Sequence, residues 1–265
     1  MGPIISALEV LGITEVFIVP IGILGVLPLH AAWVPDSSRK SGKLYALDSL
    51  TISYIPSAKS ALGNLSATHL PFQSATIVED PTSTLRYAPL ESVYVLQHFP
   101  DARLIGGEAA TKREVLRQLE GCNVLHFSCH GYSEPGDPMK SGLLMAFGET
   151  LTVSDIHKAN LSHTRMVTLS ACETGLISRR MMDEVLGFAT AWMGLGVPCV
   201  LSAIWSVDDE STSHLMRLFY ENLITSNMRP DQALRKAQIQ IRDGAVPSSD
   251  FRHPFYWGAF FVTGY

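Results

Sequence analysis

The sequence predicts an α/β fold with a mostly parallel central sheet, on two observations. Short apolar or β-branched runs recur along the chain and alternate with helix-patterned segments. Several of those runs are apolar at nearly every position, as expected of strands covered on both faces. Strand alternating with helix implies crossover connections, which keep neighbouring strands parallel.

The expected strands cover residues 16–20, 50–55, 75–79, 103–106, 123–128, 143–147, 166–170, 199–203 and 259–263. Between them lie the helices. Thr111 with Glu114 three residues on reads as a capping box opening a helix that runs to Leu119. The segment 182–195 is apolar almost all round, which marks a buried helix, and Gly194 and Gly196 supply its stop. The segment 211–224 is amphipathic through Leu215, Leu218, Phe219 and Leu223. Pro230 sits where a first helical turn tolerates proline, and that helix runs to about Ile241. Two links are longer than strand-to-helix turns need, 131–142 and 173–182, and both are expected to be gating loops.

Composition sets the outer limits. A chain of 265 residues suits one large α/β domain or two small ones. It is long enough to fold without a metal or disulfide staple. A formal net charge of −5 argues against nucleic acid as a partner. The charged fraction, 17%, is low and suits a domain partly covered by a neighbour. Cys122, Cys129, Cys172 and Cys199 form no C-x-x-C pair, and no spacing fits a zinc finger. A reducing, cytoplasmic compartment is expected, without cofactor or metal. Residues 16–35 carry no charge and would span a bilayer, but Pro20, Gly22, Gly25, Pro28, Pro35 and His30 point instead to two short buried strands around a turn. No membrane association is expected.

The chemistry gathers at two strand ends. His130 follows the run Val124-Leu-His-Phe-Ser-Cys, and Cys172 follows Val167-Thr-Leu-Ser-Ala. Sites in open α/β sheets collect at strand carboxyl ends, so two neighbouring parallel strands would bring both residues to one edge. A thiolate is a nucleophile, and an imidazole can generate it. The backbone N–H groups of Gly131 and Cys172 could form an oxyanion hole. The plainer reading, a buried cysteine and a satisfied core histidine, stands beside this one on spacing alone. His126 lies i, i+4 from His130 but within a strand pattern and with no following Glu; it reads as a packed residue below the site. Cys129 reads as core or as support behind His130, and Trp205 and Trp257 as pocket wall or core.

Cys129-His-Gly131 and Leu169-Ser-Ala-Cys-Glu-Thr-Gly175 resemble the His and Cys blocks of CHAT domains, caspase-like domains related to separase, caspases and gingipains. Further blocks follow in the family's order: Gly25-Val-Leu-Pro-Leu-His-Ala-Ala32, Ser53-Tyr-Ile-Pro-Ser57, Asp80-Pro81, Leu85-Arg-Tyr-Ala88 with Glu91, Ala110-Thr-Lys112, Leu151-Thr-Val-Ser-Asp-Ile156, Leu201-Ser-Ala-Ile-Trp-Ser-Val-Asp-Asp209 and Trp257-Gly-Ala-Phe260. One departure is Ile21-Gly22, where the family typically has Asp-Gly. The resemblance implies a three-layer α/β/α sandwich of caspase-like type. Residues 1–74 would form its N-terminal, pseudo-caspase-like part and 75–265 the part bearing the dyad. It also implies peptide-bond hydrolysis of a protein substrate by Cys172 and His130, without a third orienting carboxylate, and control by a tetratricopeptide-repeat or other regulatory partner. The related separase motif has an Asp at the place of Asp209, in the pocket for an arginine side chain, and Asp208 and Trp205 are the expected neighbours of Asp209 in such a P1 pocket. The competing role for those acids is to cap the helix that opens at Glu210 and Ser211. Arg179 and Arg180 read as a solvated pair and as a candidate self-cleavage site. The alternative for the whole chain is a catalytically silent interaction or scaffold domain on the same fold.

Overall fold

The computed structural model describes residues 2–39, 41–59, 72–132, 134, 137–170, 184–246 and 250–264. Its strands are β1 (Glu15–Ile18), β2 (Trp33–Pro35), β3 (Lys43–Tyr45), β4 (Thr51–Tyr54), β5 (Ser74–Glu79), β6 (Asp101–Gly106), β7 (Val124–Ser128), β8 (Gly131–Tyr132), β9 (Gly142–Leu144), β10 (Thr150–Thr152), β11 (Met166–Leu169), β12 (Cys199–Ala203) and β13 (Phe260–Gly264). The α-helices are α1 (Gly2–Val10), α2 (Ala46–Ser49), α3 (Ala88–Leu96), α4 (Lys112–Gln118), α5 (Val153–Ile156), α6 (Glu184–Gly194), α7 (Asp209–Tyr220), α8 (Pro230–Arg242) and α9 (Pro254–Trp257).

Eight strands form one sheet in the order β1-β4-β13-β12-β11-β7-β5-β6. Every neighbouring pair is parallel except β12 with β13. Alternate side chains along each strand feed two separate cores, because successive Cβ atoms leave opposite faces of a sheet. Ile77, Val124, Met166, Leu201 and Val262 enter the core that also takes Leu215, Phe219, Ala233 and Ile241 from α7 and α8. Val78, Leu125, Phe127, Val167 and Val200 enter the other, with Val115 from α4 and Trp192 from α6. Helices therefore cover both faces, and the architecture is the expected three-layer sandwich with a mostly parallel sheet.

Several expectations need correction. In 16–35 the strands form, but they are not buried. β1 is an edge strand with Phe17 48% exposed, and Ile21 and Ile23 beyond it stand at 79% and 62%. Apolar composition there does not report burial within this chain. No helix among the described residues is long and apolar enough to cross a membrane. Of the capping box only half forms: Thr111 accepts the Glu114 N–H at 3.2 Å, while the Glu114 carboxylate turns to Arg117 and Gln118. The expected strand 143–147 stops at Leu144, and Ala146–Gly148 is a 3-10 turn with Phe147 at φ 60. The helix expected over 211–224 starts earlier, at Asp209, and widens into a π-helical turn over Glu221–Thr225.

At both of its ends the link 131–142 is strand rather than loop. Its first residues form β8, which pairs antiparallel with β9, and β10 completes a small sheet. Gly142 is required there, because a Cβ would fall on the Leu151 carbonyl of the neighbouring strand. The link 173–182 lies outside the described residues.

Candidate active site

The two strands that carry the expected dyad are neighbours. β11 pairs parallel with β7, Leu169 opposite Phe127, and the Ser170 N–H donates to the Phe127 carbonyl at 3.0 Å. His130 lies two residues past the end of β7. Cys172 lies three residues past the end of β11 and outside the described residues, as do Arg179 and Arg180.

His130 is fixed from both sides. Its carbonyl accepts the Leu144 N–H at 2.8 Å, and the next residue, Gly131, pairs with Leu143. These contacts tie the backbone after β7 to the small sheet. Its imidazole meets Thr84, Nε2 to Oγ1 at 2.7 Å.

Thr84 belongs to the turn that leaves β5, which lies beside β7. The Asp80 N–H donates to the Ser128 carbonyl at 2.8 Å and joins the two strand ends. Asp80 then organises the turn. Its Oδ1 accepts the Thr84 N–H at 3.0 Å and its Oδ2 the Leu85 N–H at 2.9 Å. Asp80 and Ser83 both lie in the left-handed region, at φ 36 and 56, so the chain winds tightly there. Asp is among the side chains that tolerate this conformation, because it can bond to the backbone just ahead.

The same turn reaches the expected P1 acid. The Tyr87 N–H donates to Asp209 Oδ2 at 2.6 Å. Asp209 opens α7, and Asp208 caps that helix by accepting the Ser211 N–H at 2.8 Å. The carboxyl of Asp209 titrates above its ordinary range. Burial is the main cause, and Glu91, Asp208 and Asp80 add like charge, while the Tyr87 N–H works against the shift. The region is thus rich in acid, and a cation would relieve it. Trp205 donates its Nε1–H to the Phe255 carbonyl at 3.1 Å and stacks on that ring at 6.3 Å between centroids. Trp257 is a core residue, fully buried.

His126 is fully buried as expected, bonded to Glu91 and Tyr220. Cys129 is buried in the core on the opposite face from that network. Reading the sequence missed Thr84 as a partner of His130 and Glu91 as a partner of His126. The usable signal was Asp80-Pro-Thr-Ser-Thr84, an acid-led turn sequence at a strand's carboxyl end.

The CHAT domain family matches residues 1–265, the whole chain. Tetratricopeptide repeat protein 28 of Homo sapiens is 22% identical over 211 residues, 66% of this chain but 8% of its own length. The Mus musculus protein of that name is 26% identical over 114 residues, 43% of this chain and 4% of its own. The chain therefore spans less than a tenth of these relatives. Among solved structures, separase in the Saccharomyces cerevisiae separase–securin complex aligns with TM-score 0.65 and 16% identity, over 95% of this chain and 15% of that one. The Arg-specific cysteine proteinase gingipain R aligns with TM-score 0.60 and 8% identity, over 99% of this chain and 66% of that one. At such identities the likeness is one of fold.

Proposed function

The chain belongs to the CHAT domain family, and on that premise we propose that it is a caspase-like cysteine endopeptidase that cleaves a protein substrate after a basic P1 residue. In this reading the Cys172 thiolate attacks the scissile carbonyl. His130 protonates the leaving amine and then activates the water that releases the acyl group. The N–H groups of Gly131 and Cys172 receive the oxyanion. Asp209 receives the P1 head group, with Asp208 adding charge and Trp205 an apolar wall, and Arg179 or Arg180 is a site of self-cleavage. Residues 75–265 bear this site and residues 1–74 support it. A tetratricopeptide-repeat or other regulatory partner controls it, in keeping with the repeat proteins that share this region. The protein works in the cytoplasm.

One observation carries the reading. A single turn, residues 80–87, touches both the His130 imidazole through Thr84 and the Asp209 carboxylate through Tyr87. That shared turn supports a reading in which the His130 imidazole and the Asp209 carboxylate serve one bound substrate.

The test is capture by an arginyl acyloxymethyl ketone, followed by mass mapping of the modified thiol. Cys172 should be labelled alone. Cys122 and Cys199 are buried, and burial pushes both thiols up, away from the reactive thiolate. Labelling of another cysteine, or of none while the chain still binds a protein partner, would favour the silent scaffold.

A further inference from the structure

The hydrogen bonds that lead from Asp80 through Thr82 and Thr84 to His130 have only one direction in which every contact is made. Asp80 is an acceptor throughout: besides two backbone N–H groups, its Oδ1 takes the Thr82 hydroxyl proton at 3.2 Å. A hydroxyl has a single proton to give. Thr82 spends its proton on Asp80, so in the 2.8 Å contact between the two hydroxyls Thr84 is the donor. Thr84 in turn has spent its proton on Thr82. In its 2.7 Å contact with His130 it must accept, and the imidazole must donate from Nε2. A neutral imidazole with its proton on Nε2 carries its lone pair on Nδ1.

We propose that Asp80, Thr82 and Thr84 form an orienting relay that fixes His130 in its Nε2–H tautomer and so makes Nδ1 the basic nitrogen. These are positioning residues. No proton needs to travel along the relay; its direction alone selects the tautomer. A carboxylate does orient the histidine, then, but at a remove of two hydroxyls. Asp80 also sets the backbone of the turn and is bound to the end of β7, so relay and imidazole are built on one frame. The inference rests on the peptidase reading only in giving His130 a catalytic task; the tautomer is a property of the chain itself.

The experiment is nitrogen-15 NMR of the histidine-labelled full chain at a pH where His130 is neutral. The His130 signals are assigned by their loss in His130→Ala. Protonated and bare ring nitrogens resonate far apart, so the tautomer is read directly. The unmodified protein should show Nε2–H alone, a result that needs no variant. Thr84→Val removes the acceptor and should bring in the Nδ1–H form. Thr82→Val does not touch the imidazole, yet it should do the same, because Thr84 can then turn its proton toward Nε2. Thr84→Ser and Thr82→Ser should restore the single tautomer. With a cleavable substrate, Thr84→Val should lower kcat about 10-fold at unchanged KM, the worth of about one neutral hydrogen bond. An Nδ1–H tautomer in the unmodified protein overturns the relay, and so does an unshifted tautomer in Thr82→Val. If the tautomers behave as stated and no substrate is cleaved, the relay stands and the peptidase reading falls.

Discussion

His126 Nε2 and Glu91 Oε1 meet at 2.8 Å with both side chains withdrawn from water, one on β7 four residues before His130 and the other on α3. His126 Nδ1 also meets the Tyr220 hydroxyl at 3.1 Å, and that hydroxyl meets Thr168 at 3.0 Å. A polar network thus ties α3 and α7 to two neighbouring strands beneath the site. Glu91 Oε2 has no hydrogen-bond partner among the described residues, so the pair carries an uncompensated desolvation cost.

That imbalance predicts how the pair responds to mutation. Glu91→Leu strands a buried imidazole nitrogen and should cost about 3 kcal/mol or more. Adding His126→Leu removes the stranded group and should recover much of the loss, because apolar packing often replaces a buried polar pair at little cost. Tyr220 keeps Thr168 as a partner in the double variant. Urea denaturation of the four proteins gives the coupling. Additive losses would mean that the two residues act independently despite their contact.

The same pair explains why α3 escaped the sequence reading while α7 and α8 were seen. On α7 and α8 the buried positions are mostly apolar and recur at helical spacing. On α3 the buried face is Ala88, Glu91, Ser92 and Val95, whereas Leu90 and Val93 are exposed at 39% and 57%. Hydropathy therefore pointed away from the face that packs. The interior strands were legible because nearly continuous apolar runs are what burial on both faces demands. Edge strand β1 was legible as a strand but not as an exposed one. At the site, His130 could be found because glycine and a strand end flag it. Its partner Thr84 lies 46 residues away, brought in by the pairing of β5 with β7, and no local pattern reports that.

The proposed chemistry separates the cysteines and histidines by function. Cys172→Ala and His130→Ala should each abolish cleavage of the cognate substrate with thermal melting little changed. Cys129→Ala should keep most of its activity, since its thiol lies in the core on the face away from His126. Substrate turnover measured beside the melting curve decides this. Full activity in Cys172→Ala would end the peptidase reading, and loss confined to Cys129→Ala would name a different thiol.

His30 predicts an acid-labile fold. It is buried, bonded to the Tyr54 hydroxyl at 2.9 Å, and burial lowers its pKa from 6.5 to about 4. Between those values the unfolded chain binds a proton that the folded chain does not, so stability rises with pH across the window. It is lost as pH falls from about 6.5 toward 4, by on the order of 1 kcal/mol per pH unit. His30→Leu leaves the Tyr54 hydroxyl short of a partner and should be less stable at neutral pH. Its stability should nonetheless fall less steeply over that window. Denaturant midpoints measured at a series of pH values give both slopes, and parallel slopes would remove His30 as the cause.

Asp209 predicts the P1 preference and needs a particular substitution. Its Oδ2 already accepts the Tyr87 N–H at 2.6 Å, so Asp209→Ala would loosen the turn that carries Thr84 as well as remove a charge. Asp209→Asn keeps an oxygen for Tyr87 and removes only the charge. Burial and the neighbouring acids Glu91, Asp208 and Asp80 hold the Asp209 carboxyl above its ordinary range, which makes an incoming guanidinium or ammonium the natural complement. A charge-assisted contact contributes about 1.5–3 kcal/mol, or about 10- to 150-fold in kcat/KM. Asp209→Asn should lose that factor on substrates with P1 Arg or Lys and change little on uncharged ones. Asp209→Ala should lose more, and on every substrate, because Thr84 moves with the turn. Asp208→Asn should be milder, because its oxygen is committed to the Ser211 N–H and an amide can still cap the helix. A P1-diverse peptide library profiled with the three variants reads all of this at once. A native preference for P1 Asp, or an Arg preference intact in Asp209→Asn, would take the specificity role away from Asp209.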